Sequence, residues 1–288
     1  MTMHWQNMRA ARSAGLVYTA DGVYRSAQPM TADQIAAVAP AALAVEAHES
    51  RSDRYAPIPT LAVVEALRRA VGVEVYGAAQ ARTREQDKRG HTKHVLRMRR
   101  PGDERADHAP ELVLTNSYDG SSSYRLQLGC YRVVCANGLI VGEAWDKAAV
   151  RHTGDAIDKM VEETQRLAGQ FDQIGASVES MRSLELSPGA QEAFARSAIK
   201  LRHDDPDEEV AARQVLRSRR EADQGRDLWT TFNRVQESLT RGGYHKTTRD
   251  QHGRRQSRRV RPVTGIDGNS ALNSALWTLA EEMERLAA

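Results

Sequence analysis

The periodicity of this 288-residue sequence changes near its middle. Residues 73–141 carry strand-like patterning, whereas from residue 155 the apolar residues recur at three- and four-residue steps. Strand signals come first and helical signals follow, an order that predicts an α+β fold. In HTKHVLRMRR (91–100), His91, Lys93, Val95, Arg97 and Arg99 share one face and His94, Leu96 and Met98 the other. VEVYGAAQART precedes this run, and ELVLTNS and SYRLQLGCYRVVC follow the polar stretch 101–110. Together they predict an antiparallel β-meander of about four strands. Upstream, Leu16–Thr19 and Val23-Tyr24 flank an Ala20-Asp21-Gly22 turn, a short hairpin. Residues 31–47 are helix-prone until Pro40, and Thr60 is expected to cap a helix over Leu61–Ala70.

In the second half, Ile157, Met160, Val161, Leu167, Phe171, Ile174, Val178 and Met181 trace one face. This predicts a single long amphipathic helix over 155–186, packed on the sheet. Ser187-Pro188 opens another helix. HDDPDEE (203–209) is an acidic break before a further helix, Arg226–Leu239 forms another that closes at Arg241-Gly242-Gly243, and Asn273–Leu286 forms the last. The chain divides into 1–150 and 151–288, read as one integrated domain with a basic loop at 244–262.

At 40% hydrophobic and 27% charged residues the chain has the composition of a globular protein. The net charge of +3 says little, so local clusters carry the information. Cys130 and Cys135 make neither a disulfide framework nor a zinc site, and are expected to be reduced and buried. The first residues lack the apolar stretch of a signal peptide, and no window reaches membrane-spanning length. A cytoplasmic protein is expected.

The densest charge lies in RDQHGRRQSRRVR (249–261), with Arg249, Arg254, Arg255, Arg258, Arg259 and Arg261 against Asp250. Guanidiniums so close together repel one another unless an anion is present. Nucleic-acid phosphate is the usual partner, because arginine is always charged and binds it bidentately. The alternative is an exposed, solvated loop. A second cluster, Arg82, Arg84, Lys88, Arg89, Lys93, Arg97 and Arg99, is expected on a hairpin that either grips a strand backbone or keeps a sheet edge soluble. The third candidate is the turn 116–123. Its Asn116, Tyr118 and Ser121 could touch a nucleic-acid backbone or base, but it lacks phosphate-loop, dinucleotide and nucleophile-elbow signatures. A plain bend between strands is the competing reading. Arg125 and Arg132 fall on opposite faces of the fourth strand, so only one should reach a ligand.

Metal spacing is poor. His91 and His94 face opposite ways, and neither His48 with Glu46 or Glu49 nor His203 with Asp204 and Asp205 has a recognisable ligand pattern. No metal, cofactor or catalytic residue is therefore expected. An enzyme reading, a metal-dependent nuclease or nucleotide-processing activity, would rest on Asn116, Asp119 and Glu143. A third reading is a host-directed interaction factor such as an anti-defence protein, using the 155–186 helix.

Four motifs occur in order: N-S-x-D-G-S at 116–121, R-x-V-C-x-N-G-L at 132–139, W-x-x-x-N-x-x-Q-E-x-x-x-x-G-G at 229–243 and L-N-x-x-L-W-x-x-A at 272–280. In these the chain resembles a family of phage- and plasmid-borne proteins of unassigned function, over about residues 14–285. It departs from that family at Tyr118, where histidine is commoner. By architecture alone it is similar to single-strand annealing proteins of the Rad, RecT and Redβ type. That analogy implies a homo-oligomer, ring or filament, that binds single-stranded DNA, with RNA as a second ligand, and needs no nucleotide hydrolysis. A phage exonuclease or single-strand-binding protein is the implied protein partner.

Overall fold

The computed structural model describes residues 11–287 apart from 20, 53–54, 104–107, 133–136, 141–147, 151–155 and 250. Cys135 and Glu143 fall outside these. The chain forms two compact units, 1–140 with 144–172, and 173–288 with 141–143. The sheet unit thus reaches Asp172, past the division expected at 150.

The first unit is built on one antiparallel sheet. Strands β1 (Val17–Tyr18), β2 (Tyr24–Arg25), β3 (Glu74–Gln80), β4 (His94–Arg99), β5 (His108–Asn116), β6 (Tyr124–Arg132) and β7 (Asn137–Ile140) lie side by side in chain order. β8 (Ala148–Val150) also pairs with β6, at the end opposite β7. The α+β meander is as expected; among the described residues its sheet holds eight strands, where about four and a separate short hairpin are expected from the sequence. β1 and β2 are the short hairpin expected at 16–24, joined to the sheet through β3, while β7 and β8 are three or four residues long, too short for alternation to register.

Helix α1 (Ala32–Val38) begins at a Thr31/Gln34 capping box and ends ahead of Pro40. Helix α2 (Thr60–Val71) is capped by Pro59, which makes no side-chain cap bond, and not by Thr60. Thr60 is the first helical residue, and its hydroxyl is used inside the unit. α2 stops at Gly72, whose φ of 72° suits glycine. Helix α3 (Ala156–Ala168) packs against α2. Val63, Val64 and Leu67 of α2 and Met160 and Leu167 of α3 are buried. Leu96, Met98, Leu112, Leu114, Leu126 and Leu128 share one sheet face and are buried too. Each such side chain contributes about 1.5–3 kcal/mol.

The opposite sheet face is also buried, yet it is charged. Arg97 and Arg99 of β4, expected on an exposed cationic hairpin, are 4% and 5% exposed. Glu111, directly beside them on β5, accepts from Arg97 Nη1 at 2.9 Å and from Arg25 Nη1 at 3.0 Å. Arg25 Nη2 also donates to Asp21 at 2.8 Å. The two carboxylates hold the Arg25 guanidinium in its charged form despite its burial. Asp21 itself stays below the usual carboxylate range, because Arg25 and Arg97 outweigh its desolvation. Arg99 lies 4.0 Å over the Tyr76 ring and 4.4 Å over Tyr131.

The second unit is helical. The long helix expected over 155–186 is in fact two, because Gly169-Gln170 breaks it and α4 (Phe171–Ser183) starts afresh. Helix α5 (Pro188–Lys200) is capped by Ser187, as its Ser-Pro start implies. Helices α6 (Leu228–Arg241) and α7 (Ile266–Ala287) complete it, α7 starting well before Asn273. Trp229, Phe232 and Trp277 interlock, their ring centroids 5.8–6.3 Å apart. Among the described residues, no helix is long and apolar enough to cross a membrane.

Candidate nucleic-acid interface

The arginine-rich segment is not the open loop its composition suggests. It is a hairpin of β9 (His245–Arg249) and β10 (Arg255–Arg259), raised directly on the end of α6. Asp227 caps α6, accepting from Thr230 N–H at 2.8 Å. Gly242 and Gly243 end it with φ of 65° and 87°. A Cβ on Gly242 would stand 2.6 Å from the Val260 carbonyl oxygen, so only glycine lets the returning chain pass. Gly243 N–H donates to that carbonyl at 2.8 Å, and Val260 N–H to the Tyr244 carbonyl at 2.8 Å. The turn between the strands includes Gly253, at φ 74°.

The motif residues of α6 and α7 form the base of this hairpin. Asn233, Gln236, Glu237 and Asn273 are all 2% exposed or less. Gln236 Nε2 donates to Asn273 Oδ1 at 2.6 Å, and Asn273 Nδ2 to the Asn269 carbonyl at 2.9 Å. Glu237 accepts from Arg220 Nη2 at 2.8 Å and pairs with Arg241 at 3.0 Å. Such buried, satisfied polar groups fix one arrangement of the helices that carry the hairpin.

On the hairpin itself the registers set like charges side by side. Arg249 faces Arg255, and Lys246 faces Arg258. Arg249, Arg254, Arg255, Arg258, Arg259 and Arg261 are all exposed. Like charges directly opposite in a sheet are destabilising, so the strand pair benefits from any anion laid along it. Part of that demand is met within the unit. The acidic stretch 203–209 runs beside β9, and Glu209 and Thr247 exchange two backbone hydrogen bonds of 2.9 Å. Glu209 pairs with Arg255 and Glu208 with Lys246. Lys246 keeps Glu208 below the ordinary glutamate range, helped by His203, whose Nδ1 lies 2.8 Å from it. The other nitrogen of His203 lies 2.7 Å from the Tyr244 hydroxyl, which burial pushes up to about 12. Sequence reasoning missed Glu208 and Glu209 as partners. The signal was there, as an acidic run HDDPDEE in the same half as a basic one.

The other candidates lie in the first unit and fare differently. Arg82 and Arg84 are exposed but follow the end of β3, in a loop and not on a strand face. Lys88 and Arg89 sit in the 3₁₀ turn Asp87–Gly90, where Lys88 pairs with Glu85 at 2.5 Å, and Lys93 precedes β4 half-buried. Arg97 and Arg99 are committed to the buried face described above. Arg132 is 2% exposed, while Arg125, on the other face, is half-buried with Nη2 3.4 Å from Ser122 Oγ. In the turn, Ser121 is exposed and its N–H caps Asp119 Oδ1 at 2.9 Å. Asn116 and Tyr118 are fully buried, contrary to a role on a strand's bases. Tyr118 Oη accepts from Thr60 N–H at 2.7 Å and lies 3.1 Å from Thr60 Oγ1. Asn116 Nδ2 donates to the same Oγ1 at 3.0 Å, and His94 Nε2 lies 2.9 Å from it. Burial pulls His94 down to about 4, so it is neutral. These residues lock α2 to β4 and β5.

A family model described as a domain of unknown function, DUF932, matches residues 47–277. The UPF0380 protein YafZ of Escherichia coli strain K12 is 39% identical over 266 residues, 92% of this chain and 96% of the relative. The UPF0380 protein YfjQ of the same strain is 38% identical over the same shares. No solved structure matches. With most of its length inside the family model and relatives of this similarity end to end, the chain belongs to the DUF932 family.

Proposed function

We propose that this protein binds single-stranded nucleic acid and promotes annealing of complementary strands without nucleotide hydrolysis, in the service of a phage or plasmid. The observation that carries this reading is the hairpin 245–259, a rigidly based ribbon with arginines on both faces. A cationic ribbon neutralises backbone phosphates and leaves the bases free to pair. Its exposed arginines offer bidentate contacts that a solvated lysine patch would not. The mobile-element setting rests on the four-motif resemblance. Assembly of several copies would repeat the ribbon and multiply weak contacts, with an exonuclease or single-strand-binding protein as a further partner.

The test is an annealing assay with two complementary fluorescent oligonucleotides, without ATP or metal. Wild-type protein should accelerate duplex formation. The variant R254A/R255A/R258A/R259A should not, while keeping its circular dichroism spectrum. Equal acceleration by both proteins contradicts the assignment to the hairpin. Absence of both binding and acceleration in the wild type contradicts the function.

A further inference from the structure

The turn 116–123 has a structural role that its sequence does not announce. Its backbone ties together two segments that each bring a histidine. The Tyr118 carbonyl accepts from His48 N–H at 2.9 Å, while Tyr118 and Asp119 N–H donate to the His91 carbonyl at 2.8 and 3.1 Å. The two imidazoles consequently meet edge to face, their centroids 5.2 Å apart. Tyr55 Oη secures the same turn through the Ser117 carbonyl at 2.9 Å, and Arg51 packs over Gly120.

Around His48 stand two carboxylates. Ligand atoms of His48, Glu49 and Asp87 all lie within 4.8 Å of one another. His48 is 5% exposed and Nε2 lies 3.3 Å from Asp87, while Glu49 and Asp87 are exposed. Donors bound to one ion at about 2.0–2.2 Å sit roughly 3–4 Å apart, so small rotations of two surface carboxylates close the set. The buried imidazole supplies the fixed member. Its Nδ1 accepts from Ser50 N–H at 3.2 Å and lies 2.9 Å from Ser50 Oγ, contacts that fix the ring with Nε2 towards Asp87; a metal at Nε2 would move the ring proton to Nδ1, where Ser50 Oγ can accept it. The His91 ring stacked edge-on against His48 has a buried Nδ1 with no hydrogen-bond partner among the described residues.

We propose that His48, Glu49 and Asp87 form a binding site for a divalent transition-metal ion, held together by the 116–123 turn. One imidazole with two carboxylates selects ions such as Zn²⁺, Co²⁺ or Mn²⁺, since Ca²⁺ and Mg²⁺ prefer oxygen alone. Three protein donors leave positions open to water or another ligand. His48 and Glu49 are adjacent and Asp87 is far away in sequence, which is why no ligand spacing is visible there.

The proposal is independent of nucleic-acid binding and is tested on the full chain, stripped with chelator and titrated with Co²⁺ alone. The wild type should take up one Co²⁺ per chain, with visible d–d absorption of imidazole–carboxylate ligation. Glu49→Gln and Asp87→Asn, both at exposed positions, should each weaken uptake about tenfold or more, and His48→Ala should abolish it. Should His48→Ala fail to fold, the E49Q/D87N double variant decides the matter. Absence of Co²⁺ uptake at micromolar concentration overturns the proposal, as does unchanged affinity in the double variant.

Discussion

Two groups of arginines in this protein meet opposite conditions. Arg25 and Arg97 lie inside the sheet unit, 4% exposed each, clamped by Asp21 and Glu111. Arg249, Arg258 and Arg259 are exposed on a ribbon whose registers set Arg249 against Arg255 and Arg258 against Lys246. In the first group the charges are neutralised within the fold, at a desolvation cost that only complete pairing offsets. In the second they remain available and mutually repulsive, a state improved by a bound polyanion. Arginine content therefore says little about nucleic-acid contact until the carboxylates near each guanidinium are known.

The sharpest break of this contrast is Glu111→Ala. It leaves two buried guanidiniums facing one aspartate and should cost about 3–5 kcal/mol, read in a urea titration. The matching loss of the hairpin arginines should leave stability within about 0.5 kcal/mol. Similar destabilisation by both changes would erase the distinction.

The buried unit also carries a proton debt. His94 is held neutral at about 4 by burial, below the ordinary histidine value of about 6.5. Above the unfolded-state value there is no penalty. As the pH falls from there towards 4, the unfolded chain takes up a proton that the folded one refuses. Stability should drop by on the order of 3 kcal/mol over that window and then level off for this group. His94→Gln should flatten that part of the pH profile; an unchanged slope would show that other groups carry it.

The smallest effect is expected at the surface. Glu209→Gln removes the carboxylate that pairs with Arg255, a half-exposed ion pair of little value to stability. It frees a guanidinium for phosphate, so binding of an oligonucleotide should tighten a few-fold at low salt and converge with wild type at high salt. Weaker binding by this variant would mean that Glu209 positions the ribbon more than it competes for it.

Much of the fold was legible. The alternation around 94–99, the Ser187-Pro188 start and the Gly242-Gly243 stop each predicted an element that is present. What alternation could not show was which face is covered. Charge alone predicts Arg97 and Arg99 outward, but Glu111 on the next strand and Asp21 from the N-terminal hairpin neutralise Arg97, and the Tyr76 and Tyr131 rings cover Arg99. Sequence alone predicts a loop at 244–262, because both faces of the hairpin are polar and no apolar stripe marks it. Gly169 hid inside an apolar pattern that keeps its step from Leu167 to Phe171 to Ile174 on either side of the break. Tyr118 resembled an exposed stacking residue, yet Thr60, 58 residues away, completes its burial. The His48–Glu49–Asp87 grouping exists only once the 116–123 turn has joined its segments.

The central claim is that the hairpin arginines, not those of the sheet, meet nucleic acid. The most direct measurement is affinity for a single-stranded oligonucleotide as a function of salt. Each phosphate contact contributes about −0.7 to the slope of log K against log[salt]. The R254A/R255A/R258A/R259A variant should bind more weakly for every sequence tested and lose about 3 units of that slope relative to wild type. A slope unchanged by the four substitutions, or a wild-type affinity that does not respond to salt, would contradict it.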